Sequence, residues 1–385
     1  MQKKTVEIIG AGLSGLVAAN RFAQLGWKVR IHERNKDLRM FGAGIWIWES
    51  GLKTLETVGA YDQAVANARV IREWQIRDPK DRVLMSRRAT PDDRLMLPPR
   101  ADLYQALIDR AMARKVEIIT SSEAVDVSGD GTTVFADGSS RKADLVIVAN
   151  GAHSRLREQI LGTKWIDYGS EIGIRMLIDE RPEDNKDTLI EYWNGNWRLL
   201  YNPCTDGRNY IFLSAPVNDA RARRIPIDSD LWVEKFPGVR NLISRFQVDG
   251  RWDRLVNVKC RKWTEGKVAI VGDAAHAMPP NLGQAANTAF INVMALAEIM
   301  SKPEAMQDVA ATLIKWESQQ RSITDHVQWW SYLYGYVLGR CPPMLTGLRS
   351  GVLRAVSRTG WFDRNLNKGA RYVPDGYVAT DARNS

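Results

Sequence analysis

The chain opens on alternating apolar and polar blocks. VEII is a short apolar run, GAGLSG is a glycine-rich turn, and LVAANRFAQL sets apolar residues three and four apart. This pattern predicts a buried strand, a tight turn and an amphipathic helix; WKVRIHER then returns as a second strand ending near Glu33. Residues 101–113 (ADLYQALIDRAMA) repeat at helical spacing. Residues 116–119 and 123–128 read as strands, and DGTTVFADGSSRKADLVIVANG as a hairpin leading into another buried strand. Together these segments predict a parallel α/β sheet.

From about Trp165 to Lys259 the pattern changes to runs rich in Tyr, Trp and Ile, broken by NGN, PCTDGR and PVND, as an antiparallel sheet requires. At Gly266 the α/β style returns, with KVAIVGDAAHAM as strand and turn and NTAFINVMALAEIM as helix. Helical patterning then runs on to about Tyr336. The expected organisation is α/β: a Rossmann-type domain in two parts, 1–164 and 260–336, an inserted antiparallel β-sheet substrate domain at 165–259, and a helical or irregular C-terminal tail at 337–385. Length agrees, because 385 residues exceed the roughly 250–300 at which a single core stops growing.

Composition narrows the function classes. The three cysteines, Cys204, Cys260 and Cys341, are far apart and odd in number, which argues against a disulfide framework or a CxxC metal site and for a reducing cytoplasm. The N-terminal MQKKTVEIIGAG has no signal-type apolar region, and nowhere do about 18 uncharged apolar residues run together, so neither secretion nor a membrane span is expected. The formal charge of +9 suits anionic partners. Its basic residues are scattered and no nucleic-acid motif accompanies them, so an anionic dinucleotide and an acidic small substrate are the better match.

Gly10, Gly12 and Gly15 form G-x-G-x-x-G at a strand-to-helix junction. The first glycine permits the tight turn, the second lets a pyrophosphate approach the backbone, and the third lets helix pack on strand; the helix start offers N–H donors to phosphate. Glu33, at the end of the second strand, is placed to accept ribose hydroxyls. A dinucleotide is therefore expected, though this fingerprint alone does not separate NAD from FAD. GDAAHAMPP adds Asp273 and His276 three residues apart, a spacing compatible with an acid/base pair or half a metal site. The four histidines, His32, His153, His276 and His326, are distributed singly, so no metal site is expected.

With GDAAHAMPPNLGQAAN following the glycine fingerprint by some 260 residues, the chain resembles the single-component FAD-dependent aromatic hydroxylases, over most of residues 4–330. That resemblance implies that Asp273 holds the flavin ribityl chain. It also implies that Pro279, Pro280, Leu282 and Gly283 face the isoalloxazine ring. Arg100, opening PPRADLYQAL, would lie near the ribityl-phosphate region, with Arg34 and Arg39 helping to neutralise the pyrophosphate and Ser14 and Val125 also touching the cofactor. VIVANGAHSRLR resembles the family segment implicated in both FAD and nicotinamide binding; Ser154 and Arg157 match it, whereas the usual aspartate is Asn150.

DLRMFGAGIWIW, LLYNPC and WVEKFPG look most like the 2-methyl-3-hydroxypyridine-5-carboxylate oxygenase branch. The likeness puts Arg175, Arg198 and Tyr210 at the substrate, arginine forks suiting an aromatic carboxylate and the phenol orienting a ring hydroxyl or nitrogen. Two positions depart: a pocket tyrosine of that branch falls on Ile71, and the family G-Q-G becomes Gly283-Gln284-Ala285. The implied activity is an FAD monooxygenase that uses NADH or NADPH and O2. It would hydroxylate an aromatic or pyridine ring, with or without ring opening, through a flavin C4a-hydroperoxide. A reductase or dehydrogenase without oxygen insertion, and a non-catalytic flavin-binding redox sensor, are the competing readings. The 14 tryptophans are compatible with a dry aromatic pocket.

Overall fold

The computed structural model describes residues 3–38, 43–90, 93–160, 162–167, 171–246, 251–339, 345, 347–348, 351 and 360–374. Its first layer is a six-stranded sheet. In spatial order it runs Thr264–Glu265, Val268–Ile270, Leu145–Val148, Thr5–Ile9, Lys28–His32 and Glu117–Ile119. Every pairing is parallel except the first, which is antiparallel. The LVIV strand at Leu145–Val148 is buried throughout, as a central strand covered on both faces must be. Helices Leu13–Gln24, Arg100–Ala113 and Ala285–Ser301 pack together around this sheet, where Leu16, Phe22, Leu103, Leu107, Phe290 and Leu296 share one core.

The second layer is a seven-stranded sheet, ordered Arg251–Arg254, Glu171–Asp179, Arg208–Pro216, Trp197–Thr205, Thr188–Asn194, Glu73–Arg77 and Val83–Arg88. It is wider than the 165–259 segment, because the two strands between Glu73 and Arg88 come from the chain before it and the first of them joins in parallel register. Period-two alternation divides its residues cleanly. Ile172, Ile174, Met176, Ile178, Leu199, Tyr201, Ile211 and Leu213 pack beneath Trp232, Phe236 and Ile243 on the outer side. Leu200, Cys204, Tyr210, Phe212, Leu189 and Trp193 pack on the opposite side, against Trp46, Trp48, Leu282 and Tyr334. Residues 171–216 therefore present every second side chain to the first layer.

The glycine turn locks the first layer to itself. Gly10 has φ +106°, and a Cβ there would stand 2.6 Å from the Ala149 carbonyl oxygen. A Cβ on Gly15 would overlap the Gly10 carbonyl oxygen, so the helix Leu13–Gln24 can cross the strand end only at glycine. Because the obstruction is backbone, no rotamer change relieves it. Gly15→Ala is expected to lower the unfolding free energy by about 2 kcal/mol or more, read as a lower midpoint in urea with unchanged slope.

Candidate functional site

The turn after the first strand runs directly into an uncapped helix start. Gly12 caps the helix Leu13–Gln24 without a side-chain hydrogen bond, and its first turn carries no acidic residue, so the first N–H groups are free of internal competitors. Glu33 is half-buried beside it: its carboxylate accepts the Ala11 N–H at 3.1 Å and the Asn35 N–H at 3.0 Å. Tyr104, from the helix begun by Arg100, donates its hydroxyl to the Ala11 carbonyl at 2.7 Å. Burial, and then the Glu33 charge, push that phenol up to about 12. Arg100 and Arg34 are exposed, and Val125 is exposed on the strand Ala124–Val127. Arg39 lies outside the described residues.

The GDAAHA turn meets this first turn directly. Gly272 adopts φ +62°, and a Cβ on it would strike Ser14 Oγ. Asp273, next in the chain, is reached by solvent, yet many protein atoms surround it. Burial raises its pKa, while the positive charges of Arg100 and Arg175 pull it down. His276 points away from the cleft's chemistry. It is buried, its Nε2 faces Asn292 Nδ2 at 3.0 Å, and burial lowers its pKa to about 4, so it is a neutral ring in the core.

Arg157 ties the Asn150 segment to the Asp273 segment. Fully buried, its Nη1 donates to the carbonyls of Ala152 at 2.8 Å and Ala274 at 3.0 Å, and its own N–H bonds Ser154 Oγ at 3.1 Å. The Asn150 Oδ1 atom is buried without a hydrogen-bond partner, next to the backbone that Gly10 approaches.

Across the cleft stands the inner face of the seven-stranded sheet. Arg175 lies with its guanidinium 5.3 Å from the Phe212 ring centre and 3.6 Å from Asp253. Its positive charge also acts on the Tyr210 phenol, which burial keeps protonated despite the arginine. Arg100 is close enough to influence both Tyr210 and Asp273. The structure thus brings Arg175, Tyr210, Arg100 and Asp273 to one cleft.

Arg198 lies deeper. It is 2 % exposed, donates to Glu191 Oε2 at 3.1 Å and to Asn281 Oδ1, and stacks 5.7 Å from the Tyr334 ring. Burial opposes its charge, but Glu191, Tyr334 and Glu171 together outweigh that and hold the guanidinium above its usual range. Asn281 passes the contact on to Ser331 O at 2.9 Å and sits between half-buried Pro280 and buried Leu282, so Arg198 touches the 279–283 loop from behind. The loop turns at Gly283, φ +61°, where a Cβ would strike the Trp46 ring. Asn287 bonds Trp46 O and Gly283 O, both at 3.2 Å, and accepts the Trp48 N–H at 3.0 Å.

Sequence reasoning did not single out Glu191, Asn281, Asn287 or Tyr334. The one signal for Glu191 was an acid inside the apolar strand TLIEYW, on the side shared with Leu189 and Trp193. Ile71 is buried in the same aromatic cluster as Trp46 and Trp74. Among the described residues no group of three or more His, Cys, Asp or Glu side chains is placed to hold a metal ion, and no helix is long and apolar enough to cross a membrane.

Two pH effects follow. The folded state resists protonating His276, whose pKa falls from 6.5 to about 4; stability present above pH 6.5 is therefore lost as pH drops toward 4. His276→Gln should flatten that part of the acid-unfolding profile. Asp273 has the opposite sign: its folded pKa is raised, so ionising it costs stability as pH rises through the raised value. Asp273→Asn is expected to leave the flavin-free protein as stable or more stable at neutral pH while weakening FAD binding about tenfold or more, measured by thermal melts and flavin titration.

Known proteins give a consistent comparison. The pattern of the FAD binding domain family matches residues 3–327. The 2-heptyl-3-hydroxy-4(1H)-quinolone synthase of Mycobacteroides abscessus is 33% identical over 361 residues, covering 92% of this chain and 95% of that protein. The FAD-dependent urate hydroxylase of Klebsiella pneumoniae is 28% identical over 335 residues, 81% and 85% of the two chains. Among solved structures, the tetrameric form of 2-methyl-3-hydroxypyridine-5-carboxylic acid oxygenase superposes with a TM-score of 0.83 at 32% identity, covering 98% of this chain and 99% of the other.

Proposed function

The chain belongs to the FAD binding domain family, and from that membership and its cleft we propose a flavoprotein monooxygenase that hydroxylates a hydroxylated heteroaromatic ring. The observation that carries this reading is one cleft shared by two machineries. Arg100 and Arg175 both act on Asp273 and on Tyr210, which supports assigning Asp273, Arg100 and the 279–283 loop to the cofactor and Arg175 and Tyr210 to the substrate. The overall exchange is ring-H + NAD(P)H + H⁺ + O2 giving ring-OH + NAD(P)⁺ + H2O. FAD, when bound, supplies the redox and oxygen-transfer chemistry.

The residues fit that cofactor: the uncapped helix start at Gly12–Leu13 and the Arg100 guanidinium suit its phosphates, Glu33 its ribose and Asp273 its ribityl chain. The chain's own work is to bind and orient the ring and keep water out. Pro280 and Leu282 form the wall beside the ring. The protonated Tyr210 phenol donates or accepts at the ring hydroxyl, and Arg175, fixed over Phe212, sets that phenol's direction. Trp46, Trp74, Trp193 and Tyr334 make the surrounding wall apolar, which excludes water that would waste reducing equivalents. Asn150, Ser154 and Arg157 lie in the segment that, by family resemblance, meets NADH or NADPH.

The test is direct. Purified protein should take up FAD, oxidise NADH or NADPH faster when a hydroxy-heteroaromatic ring is added, and place one atom from labelled O2 in the product. Product without label would make it a reductase or dehydrogenase. Tyr210→Phe should keep its FAD but lower kcat/KM about tenfold or more, with more NAD(P)H consumed per product formed.

A further inference from the structure

Each sheet arginine that suits a ring carboxylate already has a carboxylate mate. Arg175 stands 3.6 Å from Asp253, both partly exposed. Arg198 is bound to Glu191 at 3.1 Å with both side chains buried, 2% and 0% exposed. The second pair is tightly built. Glu191 is opposite Leu200 and one pleat removed from Trp193, which is opposite Arg198, so the ion pair runs diagonally between neighbouring strands. A single oxygen, Glu191 Oε2, accepts from Arg198 at 3.1 Å, from Trp193 Nε1 at 2.9 Å and from Tyr334 hydroxyl at 3.3 Å. Glu191 Oε1 and Arg198 Nε are buried with no hydrogen-bond partner. A further acid, Glu171, reaches Arg198 electrostatically from the strand beyond Ser214, whose hydroxyl it accepts at 3.0 Å. The groups facing Arg198 are thus two carboxylates, a phenol, an indole and an amide, with no uncompensated positive charge.

Resting on the monooxygenase reading, we propose that Glu191 is a specificity-determining residue: by neutralising Arg198 behind the 279–283 loop, it makes the ring-binding face select an uncharged hydroxy- or oxo-heteroaromatic ring over one bearing a carboxylate. Three features support this. The compensated guanidinium has no net charge to offer an anion. A ring carboxylate brought up to it would feel Glu191 and Glu171 in a poorly screened interior. The neighbouring wall of Trp46, Trp74, Trp193, Leu200 and Phe212 favours a flat apolar ring. Glu191 acts by excluding one class, as specificity often requires, and it touches Arg198 and not the substrate, so it is a positioning residue.

The experiment is equilibrium binding to FAD-loaded oxidised protein without reductant, read from the flavin absorbance. The probes are matched pairs: 4(1H)-quinolone against its 3-carboxylate, and 3-hydroxypyridine against its 5-carboxylate. Wild type should bind the uncharged member of each pair at least about tenfold more tightly, and Glu191→Gln should shift that ratio at least about tenfold toward the carboxylate. Glu191→Gln combined with Arg198→Met, which removes both charges, should restore the preference for the uncharged ring; a merely structural role would not give this rescue. Equal or tighter carboxylate binding in wild type, failure of the uncharged probes to bind, or a ratio unmoved by Glu191→Gln overturns the proposal. A chain that takes up no FAD, by contrast, sinks the monooxygenase reading itself.

Discussion

The close backbone packing of three turns, drawn from positions 10, 150 and 272, is the constraint on which the rest of the structure depends. Gly10 lies under the Ala149 carbonyl, Gly15 under the Gly10 carbonyl, and Gly272 against Ser14. Each contact leaves no volume for a β-carbon, so three chain segments separated by more than a hundred residues converge within one side chain's width. Backbone contacts alone would be short of directional bonds. Arg157 supplies them, spending its guanidinium on the carbonyls of Ala152 and Ala274 and so joining the second turn to the third. Once these are fixed, the turn that carries Asp273 is held against Ser14 in the first turn of the first helix.

The second layer is positioned by a different device, a bridge of amides and indoles. Trp46 Nε1 donates to Asn202 Oδ1 at 3.0 Å, and Asn202 donates to the Tyr210 carbonyl at 3.0 Å, which fixes the segment around Trp46 to the sheet. From the other side Asn287 holds both Trp46 and Gly283. One tryptophan therefore sets the spacing between the inner face of this sheet and the loop that bears Pro280. Such buried polar bridges are directional in a way that apolar packing is not, so they define the width of the cleft as well as its existence.

Much of this was legible in the chain. The first βαβ unit, the hairpin at 132–142 and the buried LVIV strand follow from periodicity and glycine placement, and Asp273 follows from its motif. The inserted sheet was recognisable as antiparallel, but its full width was not: the strands Glu73–Arg77 and Val83–Arg88 join it from a distance, and local patterning carries no address for a partner strand. Arg175, Arg198 and Tyr210 could be named, yet their different situations could not. Arg175 and Arg198 occupy the same face of the same sheet and each meets an acid from a neighbouring strand, but Arg175 lies next to the sheet's edge strand and is partly exposed, whereas Arg198 lies in its middle and is sealed. Pairing across strands is a tertiary fact, and the single buried Glu in TLIEYW was its faint trace.

The Asn150 position shows how such tertiary facts alter the reading of a motif. The resemblance expects an aspartate there, and its replacement by an amide raises the question of whether cofactor anchoring suffers. Asn150 Oδ1 is buried and unpartnered, and the nearby arginine of the same segment, Arg157, is engaged with carbonyls and Glu158. A carboxylate at 150 would be desolvated beside the Gly10 turn, with Arg157 already committed. An uncharged amide costs less in that position. The contacts that hold this turn to the 272–274 turn come from Arg157, on the carbonyls of Ala152 and Ala274, and do not depend on charge at 150. The joining of the three turns therefore survives the substitution intact.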